Sequence, residues 1–319
     1  MHRSGVAIIG GGAWGLALAA AAARTGTAES PTLIYSRRSL EGALPQGVEQ
    51  THDLGELAER ARLVFLAVPS QHAREVARSL GDAIDGRHYV VHGVRGLVGD
   101  DLETISDVLR QETPARRIGA LGGPALSDDL LVGRPSVMVC GSHYPEVNRA
   151  VCAAFVSPSL RVYTTEDLRG LEWASALVGC LAIGVGFAQG TGLGAGLSAA
   201  VIARSIQEAA RLAAAAGGDE KTLLGLAGYG DLLASISQHE RPEVALGEAL
   251  AKGKTVEEAM RDSKQRVEAV ELIPRVTAWG DRRGVRTPIF RALTEGVLAA
   301  QSPEMIVKHL MTGPVEDRA

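Results

Sequence analysis

The chain has 319 residues, 46% apolar and 22% charged, with a formal net charge of −4 at pH 7. That length supports two domains with their own cores, and the charge gives no basic field for nucleic acid. Aromatic residues make up only 4%, which predicts close-packed helices and tight turns rather than aromatic binding platforms. Lysine is absent before Lys221, so chemistry needing a lysine in the first two-thirds is excluded. Cys140, Cys152 and Cys180 are the only cysteines and show no CxxC spacing. No disulfide framework or metal site is expected, and a reducing, cytoplasmic setting suits the chain. Met1 to Gly12 run directly into an apolar strand without a signal-peptide pattern.

Taken in order, Val6–Ile9 reads as a strand, Trp14–Arg24 as a helix and Leu33–Tyr35 as a strand before a long polar connection. Leu63–Val68, Tyr89–Val91, Arg117–Leu121 and Val137–Cys140 continue the strands. Gln71–Leu80, Leu102–Leu109 and Pro145–Phe155 read as helices between and after them. The alternation predicts a parallel sheet covered on both faces. Beyond about Thr164 the pattern turns helical: Asp167–Ala188, Leu197–Ala216, Lys221–Leu224, Arg241–Lys252, Val256–Met260, Val267–Arg282, Pro288–Ala299 and Glu304–Met311. The stretch Ala174–Ala188 is apolar but broken by glycines and short for a bilayer, so a buried helix is expected rather than membrane insertion. The expected fold is an α/β Rossmann N-terminal domain, residues 1–165, followed by an all-α substrate domain, residues 166–319.

The first strand and helix are joined by Gly10-Gly11-Gly12-Ala13-Trp14-Gly15. Gly10, Gly12 and Gly15 fall on the G-x-G-x-x-G positions that give a tight turn, a close backbone approach to a pyrophosphate, and close helix–strand packing. The helix start would present unpaired N–H groups to the phosphates. At the end of the second strand, where NAD sites usually carry an acidic residue, this chain has Ser36-Arg37-Arg38. Two guanidiniums beside a hydroxyl suit a 2′-phosphate, which favours NADP(H) over NAD(H); an exposed basic turn without a ligand is the alternative. Pro69, in Val68-Pro69-Ser70, turns the chain where a cofactor would lie, or is an ordinary strand-to-helix turn.

These motifs, with Gly122-Gly123-Pro124, Gly133-x-Pro135, Gly170-Leu171-Glu172 and Gly225-Leu226-Ala227-Gly228-Tyr229-Gly230-Asp231-Leu232, resemble the soluble bacterial NAD(P)-dependent glycerol-3-phosphate dehydrogenases over residues 5 to 310. The resemblance implies a Rossmann domain, a helical domain of the 6-phosphogluconate dehydrogenase-like arrangement, and a substrate cleft between them. It implies reduction of dihydroxyacetone phosphate to sn-glycerol 3-phosphate by hydride transfer. It also places Val178-Gly179 where the family carries a Lys-Asn pair. Valine can neither polarise an oxygen nor give up a proton, and loss of a general acid costs about 10²–10⁴-fold in rate. Arg95 stands at a family lysine, and Arg241-Pro242-Glu243 at the Ser-Arg-Asn triplet that contacts phosphate and cofactor.

The resemblance makes Asp231 and Arg95 catalytic candidates, Gly123, Asp231 and Arg241 substrate contacts, and Ala13, Trp14, Arg95 and Glu268 cofactor contacts. His92, at the end of a parallel strand where ligands bind, is a third catalytic candidate, and Gly10, Gly12, Gly15, Ser36, Arg37, Arg38 and Pro69 are the cofactor contacts that the motifs themselves give. Each has a plainer alternative: helix capping for Asp231, surface charge for Glu268, packing for Trp14, and a structural role for His92. His239 and Glu240 are weaker candidates near the altered triplet. A small-molecule reductase, possible as a homodimer, is one expectation. Reduction of another small carbonyl or imine, and a non-catalytic NADP(H)-binding sensor or partner subunit, are the others.

Overall fold

The computed structural model describes residues 5–26, 30–192, 194–238, 241–263, 267–302 and 305. Eight strands form one sheet in the order β3-β2-β1-β4-β5-β6-β7-β8. They are β1 (Gly5–Ile9), β2 (Thr32–Tyr35), β3 (Val48–Thr51), β4 (Ala61–Leu66), β5 (Tyr89–His92), β6 (Arg117–Gly122), β7 (Ser136–Gly141) and β8 (Leu160–Thr165). Apolar β-branched runs in β1, β4 and β5 are buried on both faces, as expected of central parallel strands.

The sheet is not wholly parallel. β7 pairs antiparallel with β6, and β8 runs parallel to β7. The helix joining β6 to β7, α5 (Ser127–Val132), has 6 residues and rises about 9 Å. A 6-residue strand such as β6 is about 20 Å long, so α5 is too short to carry the chain back along the sheet. β7 therefore returns from the end at which β6 finished.

Helix α1 (Ala13–Ala23) is apolar all round and buried along nearly its whole length, filling the space between the sheet and α5. The remaining helices of this half are α2 (Leu54–Arg60), α3 (Ser70–Ala83), α4 (Ile105–Glu112) and α6 (Pro145–Phe155). Helix α4 starts later than the apolar pattern predicts. Leu102 has φ +55°, outside the helical region, and Thr104 provides the cap by accepting from the Asp107 N–H at 3.3 Å.

Beyond Thr165 the named elements are helical. Helix α7 (Leu168–Gly190) has a mean hydropathy of 1.7, long and apolar enough to cross a membrane, but 94% of that window is buried inside the protein. It is the axis around which α8 (Ala195–Ala215), α9 (Glu220–Leu224), a π-helical turn (Leu226–Gly230), α10 (Asp231–Ile236), α11 (Pro242–Ala251), α12 (Val256–Ser263), α13 (Ala269–Arg282) and α14 (Pro288–Ala292) gather. A second π-helical turn, Leu293–Val297, follows α14 where the sequence predicts a continuous helix. The helix expected at Glu304–Met311 falls outside the described residues, except for Met305.

Candidate active site

The start of α1 is built by steric exclusion. Gly10 has φ +124°, and a methyl group there would strike the Ala67 carbonyl; one at Gly15 would strike the Gly10 carbonyl. Both glycines therefore serve contacts within the protein. Gly12 differs, because a Cβ there would meet nothing within 4 Å. Gly12 is also the N-cap of α1 and provides no side-chain cap, so the first N–H groups of the helix face open space. This combination fits a dinucleotide pyrophosphate. Next to it, Arg38 Nη2 donates to the Gly11 carbonyl at 2.8 Å and its backbone N–H reaches Ser36 Oγ at 3.3 Å. Arg37 is exposed, its nearest acid being Glu75 at 3.9 Å. Ser36, Arg37 and Arg38 thus flank the glycine turn.

From this turn a cleft of about 840 Å³ runs between the strand ends of the sheet and helices α7, α11 and α13. Ala13, Trp14, Pro69, Arg95, Arg241 and Glu268 line it along with Gly12. Trp14 lies over Gly93, where a Cβ would collide with the indole. Glu268, just before α13, ties the helical part to the sheet: its carboxylate accepts the Ser70 N–H at 3.1 and 3.2 Å and also the Ser70 hydroxyl. It thereby caps α3, which has Pro69 at its own N-cap.

Charge is concentrated at the other end. Arg95 Nη2 donates to Asp231 Oδ1 at 3.0 Å, and Nη1 stands 3.0 Å from Oδ2. Asp231 has no exposed surface. Its burial pushes the carboxyl up from the ordinary aspartate range, against the pull of Arg95 and Arg241. Arg241 donates through Nε to Glu243 Oε2 at 3.0 Å and through Nη1 to Ser235 Oγ. Burial, followed by the neighbouring charge of Arg95, lowers its guanidinium from the usual arginine range. Gly123, with φ +90°, is outside the cleft lining, and its carbonyl is 3.5 Å from Arg95 Nη2.

Helix α11 reaches this region because glycines allow it to lie almost in backbone contact with α7. A Cβ at Gly186 would meet the Val244 backbone, and one at Gly247 would meet the Ile183 carbonyl. This brings Glu243 to the cleft-facing side of α7, formed by Ser175, Ala176 and Gly179. Val178 is outside the cleft lining and is fully buried in the helical core. Ser175, Gln238 and Ala269 line the cleft without having been singled out in the sequence. The small, polar Ser175, placed four residues before Gly179 in an otherwise apolar run, was the available signal.

His92 is not brought to the cleft. Its Nδ1 faces the Val94 N–H at 3.4 Å, leaving Nε2 to donate to Glu172 Oε1 at 2.9 Å. Glu172 also accepts the N–H and the hydroxyl of Ser106, each at 2.7 Å. Glu208 caps α14 through the Ile289 and Phe290 N–H groups at 2.9 and 2.8 Å. His239 and Glu240 lie outside the described residues.

Comparison with known proteins agrees with this architecture. The N-terminal family model of NAD-dependent glycerol-3-phosphate dehydrogenase matches residues 5–148, and its C-terminal counterpart matches residues 167–308. A glycerol-3-phosphate dehydrogenase [NAD(P)+] of Thermus thermophilus is 34% identical, covering 96% of this chain and 97% of its own. One of Fusobacterium nucleatum is 30% identical, covering 96% of each. The fold matches the crystal structure of glycerol-3-phosphate dehydrogenase from Coxiella burnetii with a TM-score of 0.88 at 24% identity, over 97% of this chain and 99% of that one. A ketopantoate reductase from Ralstonia eutropha shares the fold more distantly, with a TM-score of 0.58 at 19% identity, over 92% and 97% of the two chains. This chain therefore belongs to the NAD-dependent glycerol-3-phosphate dehydrogenase family.

Proposed function

We propose that the chain is an NADP(H)-dependent oxidoreductase, divided at residue 165 into a dinucleotide-binding part and a helical substrate part. The observation that carries this reading is the uncapped start of α1, open at Gly12 and flanked by Arg37 and Arg38. Unpaired N–H groups and the helix dipole favour a pyrophosphate there. The guanidiniums suit a 2′-phosphate. A bound nicotinamide supplies or accepts the hydride. Arg95, held by the buried Asp231, and Arg241 orient a small substrate, while Trp14 and the α7 face keep the reacting carbon away from bulk water.

Relatives are named for glycerol 3-phosphate, so dihydroxyacetone phosphate is the first substrate to test, with Arg241 facing its phosphate and Arg95 its carbonyl oxygen. A second reading, reduction of another small carbonyl or an imine, is favoured by Glu243, whose carboxylate lies on Arg241 at the cleft. The expected setting is the cytoplasm and the expected assembly a homodimer, which sedimentation would measure.

Fluorescence titration should show NADPH binding more tightly than NADH. Replacing Arg37 and Arg38 together with alanine should weaken NADPH by about 10- to 100-fold and leave NADH nearly unchanged. Absence of NADPH binding would overturn the reading. Saturable binding without turnover of any carbonyl or imine would leave a dinucleotide-binding sensor or partner subunit.

A further inference from the structure

We propose that Glu243 holds a cationic nitrogen, so that the substrate is a small iminium ion rather than a phosphorylated ketone. This rests on the dinucleotide-dependent reading above and names its substrate class.

Glu243 is fixed by one oxygen and offers the other. Oε2 accepts from Arg241, while Oε1 lies 3.7 Å from the point a Cβ on Gly179 would occupy. A side chain longer than alanine at position 179 would therefore compete with Oε1 for space. The glycine leaves that carboxylate oxygen on the α7 face of the cleft. One turn earlier on the same face, Ser175 is 2% exposed, and its hydroxyl has no partner within the protein. A carboxylate and an unpartnered hydroxyl lining the same cleft suit an N–H-bearing cation.

The charge balance points the same way. Arg95 is matched by Asp231 and Arg241 by Glu243, while Asp128 and Glu268 add two more carboxyl groups to the lining. A phosphate dianion approaching Arg241 would meet Glu243 beside it and be repelled.

The proton requirement supplies a third argument. Reducing a carbonyl takes a hydride and a proton, and arginine does not give up its proton near neutrality. Among the described residues lining the cleft there is no lysine, histidine, tyrosine or cysteine. An iminium carbon needs only the hydride of a reduced nicotinamide dinucleotide. One C–H bond forms, the C=N π pair becomes the nitrogen lone pair, and the +1 cation becomes a neutral amine. A carboxylate beside an imine nitrogen favours its protonated form, which is the form that accepts hydride.

The test has a binding arm and a turnover arm. In calorimetry on protein saturated with NADP+, protonated 2-methylpyrrolidine should bind more tightly than glycerol 3-phosphate. Glu243→Gln should weaken the amine by about 10- to 100-fold in protein that still unfolds cooperatively and still binds NADPH. Glu243→Asp keeps the charge and should retain part of the binding. In the second arm, 2-methyl-1-pyrroline should be reduced faster than dihydroxyacetone phosphate. Tighter binding of glycerol 3-phosphate, or equal amine binding by Glu243→Gln and the parent, would overturn the proposal. Turnover of dihydroxyacetone phosphate without amine binding would sink this inference alone, whereas failure to bind NADPH would sink the reading beneath it.

Discussion

Gly12 and Gly15 lack the same atom for different reasons, and substitution separates them. A side chain at Gly12 would enter open space. Gly12→Val should therefore fold with a melting temperature close to the parent's while losing NADPH binding. A methyl at Gly15 would collide with the Gly10 carbonyl, so Gly15→Ala should lose about 1–3 kcal/mol of stability as well, read by urea unfolding. His92 is a different case. With Glu172 and Ser106 it forms a buried hydrogen-bonded group, and His92→Ala would leave that carboxylate short of a partner. A loss of about 1–3 kcal/mol is expected for the buried acceptor left short, a stability effect larger than removal of a solvent-facing histidine would give. The sequence places His92 correctly at a strand end but cannot show that Glu172, eighty positions on, turns inward to meet it.

At the scale of elements, the central strands and long helices were legible because their residues are apolar throughout or at helical spacing. The edge strands were not. β3, with Glu49 and Gln50 between Val48 and Thr51, has one buried neighbour and reads as polar loop, as does α2 after it. β8 carries the exposed Tyr163, and its pairing with β7 depends on a reversal of direction that no local pattern encodes. One strand and two helices also give a chemical prediction. Burial pushes the thiols of Cys140, between β6 and β8, and Cys180, on α7, well above the ordinary cysteine range, while Cys152 on α6 is raised and half-exposed. A raised thiol pKa lowers the thiolate fraction that attacks alkylating agents. In native protein at pH 8, iodoacetamide should label Cys152 slowly and leave the other two unmodified until denaturant is added, as mass spectrometry would show.

For the whole molecule, the glycine-rich turn and the residues around it were legible because their spacing in sequence reproduces their spacing in space. The far end of the cleft was not. Arg95 is far in sequence from Asp231, Arg241 and Glu243, and the near-contact of α7 with α11 brings Glu243 to the cleft. That near-contact was hidden in Gly186 and Gly247, two glycines within apolar helices that resemble ordinary weak points.

The tie between Glu268 and Ser70 and the pair between Arg95 and Asp231 both cross from the helical part to the sheet. Swinging the two parts open would break both at once. The protein then behaves as a fixed mould and not as a jaw: small-angle scattering should give the same radius of gyration with and without NADPH. Molecules would be sorted by the dimensions of the mouth before any chemistry begins.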